Sequence, residues 1–348
     1  MHKLLSGVIA ATLAAFGQTW PAPAPTGDVI GVGNFLHVVS DVEKSLQFYQ
    51  GVLGMDQMQG LQPNGPRPYI DTPAIVNLYD APGAQYRVAT TLVPGAPMRA
   101  ELIEWKGLDR SPVRPRYQDP GAATLILTVR DLDSIMARVK KSGTPIVTTG
   151  GEPVRLIDGR TPARAILLRD PDGFYVELIQ LDSPPASPAL PAGNMIGVSF
   201  AFTVSDTERM VEVFRDALGF QPETAPFQSD KARLTLMGTP GAQYRRTAAL
   251  VPGTTFQVQF LEFTGIGRQP VHSRLRDPGS PLLRLLVRDL DSILKALNAA
   301  GVAVASHAGQ PVTLVNPAVS LRIANASAPD NLFVQLVQQV PKPEPAAQ

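Results

Sequence analysis

The chain has 348 residues, 44% hydrophobic and 18% charged, with a formal net charge of +1. Such a length suits two domains of ordinary size with a substantial core, and a charge this small excludes strong electrostatic recruitment of nucleic acid or an anionic membrane. The absence of Cys excludes disulfides, thiolate metal sites, a thiol nucleophile and a lipid-modified N-terminal cysteine.

Residues 1–24 differ in character from the rest of the chain. Lys3 gives a positive start, Leu4 to Phe16 is apolar but short for a bilayer span, and Ala15-Phe16-Gly17 has a small-x-small pattern. This predicts a secretory signal peptide and spacer, with an uncleaved anchor as the alternative. The expected product is exported, periplasmic in a Gram-negative cell, and off the membrane after cleavage.

From Val29 onward one unit recurs four times: an apolar strand, an Asp, an amphipathic helix and a Gly. The strands are 34–41 (NFLHVVSD), 124–131 (TLILTVRD), 199–206 (SFAFTVSD) and 282–289 (LLRLLVRD). The helices close at Gly54, Gly143, Gly219 and Gly301. In the first, Val42, Leu46, Tyr49 and Leu53 form one stripe, with Asp41 placed to cap it and Gly54 to end it. Further strands are predicted at Ile75–Tyr79, Gln85–Leu92 and Arg99–Trp105, and a hairpin over Ala163–Gln180 turns at 170–173 (DPDG).

A longer repeat contains the short one. GAQYR (83–87 and 241–245), DPG (119–121 and 277–279) and VRDLDSI (129–135 and 287–293) each recur 158 residues apart. Asp41 and Asp206 lie 165 apart, so the second copy has lost seven residues from the Pro-rich stretch Gln57–Pro73. The expectation is two domains, 29–182 and 194–340, each of two units, joined by a Pro-rich linker at 183–193. A tail at 341–348 is expected to be disordered.

The opening D41-V-E-K-S-L-Q-F-Y-Q-G-V-L-G54 and closing D170-P-D-G-F-Y-V-E-L178 resemble the vicinal oxygen chelate superfamily, which includes glyoxalase I, bleomycin-resistance proteins and extradiol dioxygenases. The resemblance covers nearly all of Val29–Gln338. It implies an α+β fold of four βαβββ units forming two cups, with the reaction centre on the inner faces. Carried over by position, the family's ligand sites are Asn34, Glu101, Thr124 and Glu177 in the first half. In the second half they are Ser199, Gln259, Leu282 and Gln335.

What occupies those positions decides the chemistry expected. The first half holds two carboxylates and no His, a hard all-oxygen set suited at most to weak Mg²⁺ or Ca²⁺ binding. The second half has no ionisable ligand. No cofactor is expected beyond a possible weak divalent metal, which would use Glu101, Glu177 and Asn34. An extradiol dioxygenase would need two His and a carboxylate on one cup, and these are absent from the positions. His37, three residues past Asn34, falls on the opposite strand face, so a core or helix-contact role is expected for it over a ligand role.

If Glu101 and Glu177 share a cup, mutual repulsion would poise one as an acid/base; the competing reading places them solvated or Arg-paired at a rim. Asn34, Thr124, Tyr69 and Trp105 are the candidate substrate contacts, with core packing the alternative for Trp105 and Tyr69. Arg87, Arg116, Arg245 and Arg274 lie in segments kept in both halves and are expected to serve the fold, though they could clamp an anion. Glu104 and Glu262 are assigned to structure. Two functions stay open: a lyase or isomerase using the Glu pair, and a non-catalytic protein that sequesters a small molecule. A small-molecule ligand is the expected partner, and the chain is expected to be a monomer or a homodimer.

Overall fold

The computed structural model describes residues 27–57, 68–93, 98–157, 161–183, 193–315 and 319–341. The expected signal peptide, most of the Gln57–Pro73 stretch, the core of the Pro-rich linker and the C-terminal tail lie outside the described residues.

Unit one comprises β1 (Val29–Val39), α1 (Val42–Leu46, continued by a π-helical turn over Gln47–Val52), β2 (Asp56–Gln57), α2 (Pro73–Leu78), β3 (Gln85–Leu92) and β4 (Arg99–Lys106). Unit two comprises β5 (Ala123–Val129), α3 (Leu132–Ser142), β6 (Val154–Leu156), β7 (Ala163–Arg169) and β8 (Tyr175–Leu181). In unit three, β9 (Met195–Thr203), α4 (Thr207–Glu212), β10 (Glu223–Thr224), α5 (Lys231–Leu236), β11 (Gln243–Leu250) and β12 (Gln257–Thr264) repeat the order of unit one. Unit four has β13 (Pro281–Val287), α6 (Leu290–Ala299), β14 (Ala303–Val304), β15 (Val312–Val315), β16 (Ser320–Ser327) and β17 (Phe333–Val340).

Each unit's helix starts as its sequence dictates: the carboxylates of Asp41, Asp131, Asp206 and Asp289 all accept from backbone N–H groups of the first turn. The strand predicted at Ile75–Tyr79 is instead α2. Pro73 sits at its first position, where a fixed φ and a missing N–H favour helix over ladder. A short apolar run does not by itself distinguish the two.

The sheets close differently from the expected two-unit domains. One runs β14-β16-β17-β13-β1-β4-β3-β2, with β15 beside β16, and so joins units one and four. The other runs β10-β11-β12-β9-β5-β8-β7-β6 and joins units two and three. Each is centred on an antiparallel pair of first strands, β1 with β13 and β5 with β9. Neither half, 29–182 or 194–340, forms a sheet of its own; each gives one unit to each. We call the two sheets the terminal cup (units one and four) and the central cup (units two and three).

Strand alternation sorts the residues by face. On β1, Phe35, His37 and Val39 turn toward the helices, whereas Asn34, Leu36 and Val38 turn inward. The helix-side residues of both sheets share one apolar core, in which the Phe35 and Phe200 rings lie 5.1 Å apart. The inner faces form separate clusters around Trp105 in the terminal cup and Phe263 in the central cup.

The connections between units brace one another. Arg116 and Arg274 grip Asp119 and Asp277 of their own segments. Asp119 also accepts from the Gln269 N–H, and Asp277 from the Ser111 N–H. Gly121 and Gly279 (φ +101° and +91°) lie against the Val271 and Val113 carbonyls of the opposite connection, where a Cβ would crowd them. The survival of R-x-x-D-P-G in both halves therefore has a structural cause.

Candidate small-molecule site

The terminal cup brings together Asn34 from β1, Glu101 from β4, Arg284 from β13, Gln335 from β17 and Asn325 from β16. Arg284 donates to both Glu101 oxygens, at 2.9 and 3.1 Å, and through Nε to Gln335 Oε1 at 2.7 Å. The Asn34 amide also donates to Glu101, and Gln335 donates to Asn325 at 3.0 Å. The Arg284 side chain is 8% exposed and that of Glu101 3%, so this is a buried, bidentate ion pair held in a hydrogen-bonded ring. Trp105 packs between Tyr79 and Tyr86 in the same cluster. The Trp105 N–H and the Thr90 hydroxyl have no hydrogen-bond partner there among the described residues. Burial pushes the Tyr79 phenol up, so it stays neutral.

In the central cup, Glu177 and Gln259 line a cavity of about 70 Å³, and Thr124 is buried on the same sheet outside its lining. Its lining includes Tyr117, Glu177, Gln228, Arg233, Arg246 and Gln259, with Ile126, Leu236 and Met237 as apolar wall. Arg233 sits on α5, which Asp230 caps, and its guanidinium is 3.6 Å from Glu177. Exposure is higher than in the terminal cup, 18% for the Arg233 side chain and 7% for Glu177. Burial, and then the charge of Glu177, push the Tyr117 phenol up, so its proton is retained.

Glu101 and Glu177 therefore stand on different sheets, not on one cup as expected, and the premise of a proton-transfer pair fails. Asn34 belongs with Glu101; Thr124 belongs with Glu177. Tyr69 lies outside both cups. Its hydroxyl donates to Glu104 at 2.5 Å, and its ring lies beneath Arg87 and Lys106. Glu104 holds the Val42 N–H and Arg87, and Glu262 repeats this with Thr207 and Arg245. Asp41, Glu43 and Glu104 are close enough to suggest a cation site, but Arg87 bridges Glu43 and Glu104 and supplies the positive charge itself.

Neither cup suits a tightly held dication. Around Glu101 the donor set already contains a guanidinium, with amides and Leu282 at the other ligand positions. Around Glu177 one carboxylate faces neutral Thr, Ser and Gln oxygens beside Arg233. Imidazoles or a second carboxylate would be needed for affinity and charge balance.

His37 is fully buried on the helix side, where its Nε2 lies 2.7 Å from Asp170. Tyr49 donates to the same carboxylate at 3.0 Å. Burial alone would lower the His37 pKa, but the charge and hydrogen bond of Asp170, with Asp172 adding, outweigh it and raise it above 6.5. The ligand alternative fails, and the core role is met by a buried hydrogen-bonded pair with Asp170. At the positions corresponding by the 165- and 158-residue offsets stand Phe202, Phe214 and Ala328, so the whole polar triad has an apolar counterpart.

Arg284, Arg233 and Arg246 are absent from the candidates drawn from sequence. Arg284 carries a signal, a lone charge inside the apolar strand LLRLLV. Arg233 and Arg246 are visible only against Ile75 and Val88, their counterparts 158 residues earlier.

A model of the Glyoxalase/Bleomycin resistance protein/Dioxygenase superfamily matches residues 31–178. Residues 31–178 belong to that superfamily. Glyoxalase I from Zea mays aligns over 89% of this chain and 92% of its own, at 18% identity and TM-score 0.56, and so shares the fold. A putative dioxygenase from Bacillus subtilis aligns over 91% of this chain and 87% of its own, at 12% identity and TM-score 0.49. TnmS3, an antibiotic binding protein from Streptomyces sp. CB03234, aligns over 43% of this chain and 95% of its own, at 22% identity and TM-score 0.27. No curated protein matches the chain.

Proposed function

We propose that this superfamily member is a small-molecule binding protein that works without a resident transition metal, with its site in the central cup. The observation that carries this is the contrast in charge pairing. In the terminal cup Arg284 takes both oxygens of Glu101 in a buried ring, whereas in the central cup Glu177 and Arg233 border a cavity. A ligand entering there meets apolar walls with a few convergent polar groups, the usual make-up of a small-molecule site. A second reading, a lyase or isomerase with Glu177 as sole base, is favoured by the protonated Tyr117 beside it. Export from the cell is part of the proposal and rests on the pattern of residues 1–24.

The test has three readouts. Elemental analysis of protein purified without chelator should find no stoichiometric Zn, Ni, Mn or Fe. A thermal-shift screen of neutral and charged metabolite-sized compounds should find stabilising ligands, and Ala201→Trp, which fills the cavity, should abolish their effect. Stabilisation that survives Ala201→Trp would move the site elsewhere. N-terminal sequencing of protein recovered from outside the cytoplasm should begin within residues 15–28.

A further inference from the structure

We propose that the central cup takes a small carboxylate, gripped by Arg233 and Arg246 with the Gln228 and Gln259 amides alongside. This rests on the central cup being the ligand site and deepens that reading by naming the ligand class.

The internal duplication supplies the argument. The four positions occupied by Gln228, Arg233, Arg246 and Gln259 are held in the terminal cup by Ile70, Ile75, Val88 and Glu101. Both strand pairings are kept: Ile70 bridges Tyr86 as Gln228 bridges Tyr244. On the same scaffold, two aliphatic residues have become guanidinium groups and a carboxylate has become an amide. Two changes run the other way, since Glu177 stands where Gln335 does and Ile126 where Arg284 does, yet the central cup still gains two cations for the one it lacks.

Charge then sets the class of ligand. Among the described residues the central cavity is lined by two guanidinium groups and one carboxylate, so one negative charge from outside would balance them. Arg233 is matched to Glu177 at 3.6 Å. Arg246 lies at the exposed edge of the cavity, and its side chain has no hydrogen bond or ion pair among the described residues. Guanidinium forks match planar carboxylates, and a cation at a cavity mouth costs little to keep charged until a ligand arrives. A cavity of about 70 Å³ has room for roughly five to seven water-sized positions, the bulk of a hydroxy acid of lactate size. The amides supply a donor and an acceptor for a second polar group on the same ligand.

Arg233 has a second consequence. It sits on the short helix α5, and its partner Glu177 is a built-in anion that competes with the ligand's carboxylate. Removing that competitor should strengthen binding, whereas a proton-transfer role for Glu177 would leave binding unchanged and abolish turnover.

The experiment titrates the full chain with L-lactate, neutral lactamide and inorganic phosphate, followed by calorimetry and by NMR of the arginine side chains. Lactate should bind saturably and shift the Arg233 and Arg246 signals, with lactamide at least tenfold weaker. Arg246→Ala should weaken lactate about tenfold or more. Glu177→Gln should tighten it several-fold, and a Gln already occupies the corresponding position at Gln335, so the variant should fold. Lactamide binding as tightly as lactate would overturn the carboxylate assignment and leave the site standing, as would phosphate binding in place of lactate. If no probe perturbs the cavity, and neutral compounds fail in the thermal-shift screen, both the ligand class and the site fall.

Discussion

The two cups have the same strand plan and the same count of carboxylates at the ligand positions, one each, yet they neutralise it from different places. In the terminal cup the cation rises from the floor, on the central strand β13; in the central cup it descends from a helix over the mouth. The position matching Arg284 is Ile126, and the position matching Arg233 is Ile75. A guanidinium has thus come to each Glu from a site that is aliphatic in the other cup. Where the cation enters decides how the Glu is held: Arg284, from the floor and beside amides, takes both Glu101 oxygens, whereas Arg233, from a helix, stands 3.6 Å from Glu177 beside a cavity.

The largest expected effect comes from breaking the floor pair. Arg284→Ala leaves Glu101 buried without its cation and should cost about 3–5 kcal/mol of stability in urea unfolding. Replacing both partners, Glu101→Leu with Arg284→Met, should recover about 2 kcal/mol of that loss, because the stranded charge is gone although Asn34 and Gln335 lose their partner. A double variant no more stable than the single would show that packing, not charge, dominates.

A similar contrast exists between the polar triad His37–Tyr49–Asp170 and its apolar counterpart Phe202–Phe214–Ala328. Ala328→Asp puts a carboxylate into the apolar core that also holds Phe202 and Phe214 and should destabilise by roughly 2–3 kcal/mol. The triple variant His37→Phe/Tyr49→Phe/Asp170→Ala copies the apolar solution and should lie within about 2 kcal/mol of the wild type. It should also change the response to pH. Because the His37 pKa is raised by folding, its stabilisation is complete below 6.5 and is lost as pH climbs through the raised value. Wild-type stability measured relative to the triple variant should therefore fall as pH rises above 6.5. A difference flat in pH would mean that the pair carries no proton linkage. The smallest effect is expected from Arg233→Ala, within about 1 kcal/mol, since that pair is partly solvated and sits beside a cavity.

The fourfold repeat makes the elements legible from the residues alone. Asp-capped helices, Gly terminators and the DPDG hairpin are local signals, and they place the strands closely. The pairing of units is not legible in the same way, because β1 can zip to β5 or β13 with the same alternation and the same Asp-terminated ending. Only long-range packing, here the crossed connections at Asp119 and Asp277, distinguishes the two. The same ambiguity carries over to the site: Glu101 and Glu177 do lie on inner faces as the pattern implies, but of two cups instead of one. Ile75–Tyr79 reads as strand by composition and folds as helix because Pro73 precedes it.

The order in which the sheets nest has a consequence for synthesis. The central cup is complete once the chain has reached β12, at residue 264. In the terminal cup β1 can pair early with β4 but lacks its other neighbour, β13, until about 250 residues later, and β17, which pairs with β13, comes later still. An apolar first strand waiting that long is a slow, high-contact-order closure and an exposed edge in the interval. Cutting the gene at the linker would strand half of each cup on either fragment. Two fragments made separately should remain aggregation-prone alone and become a single folded body only on mixing.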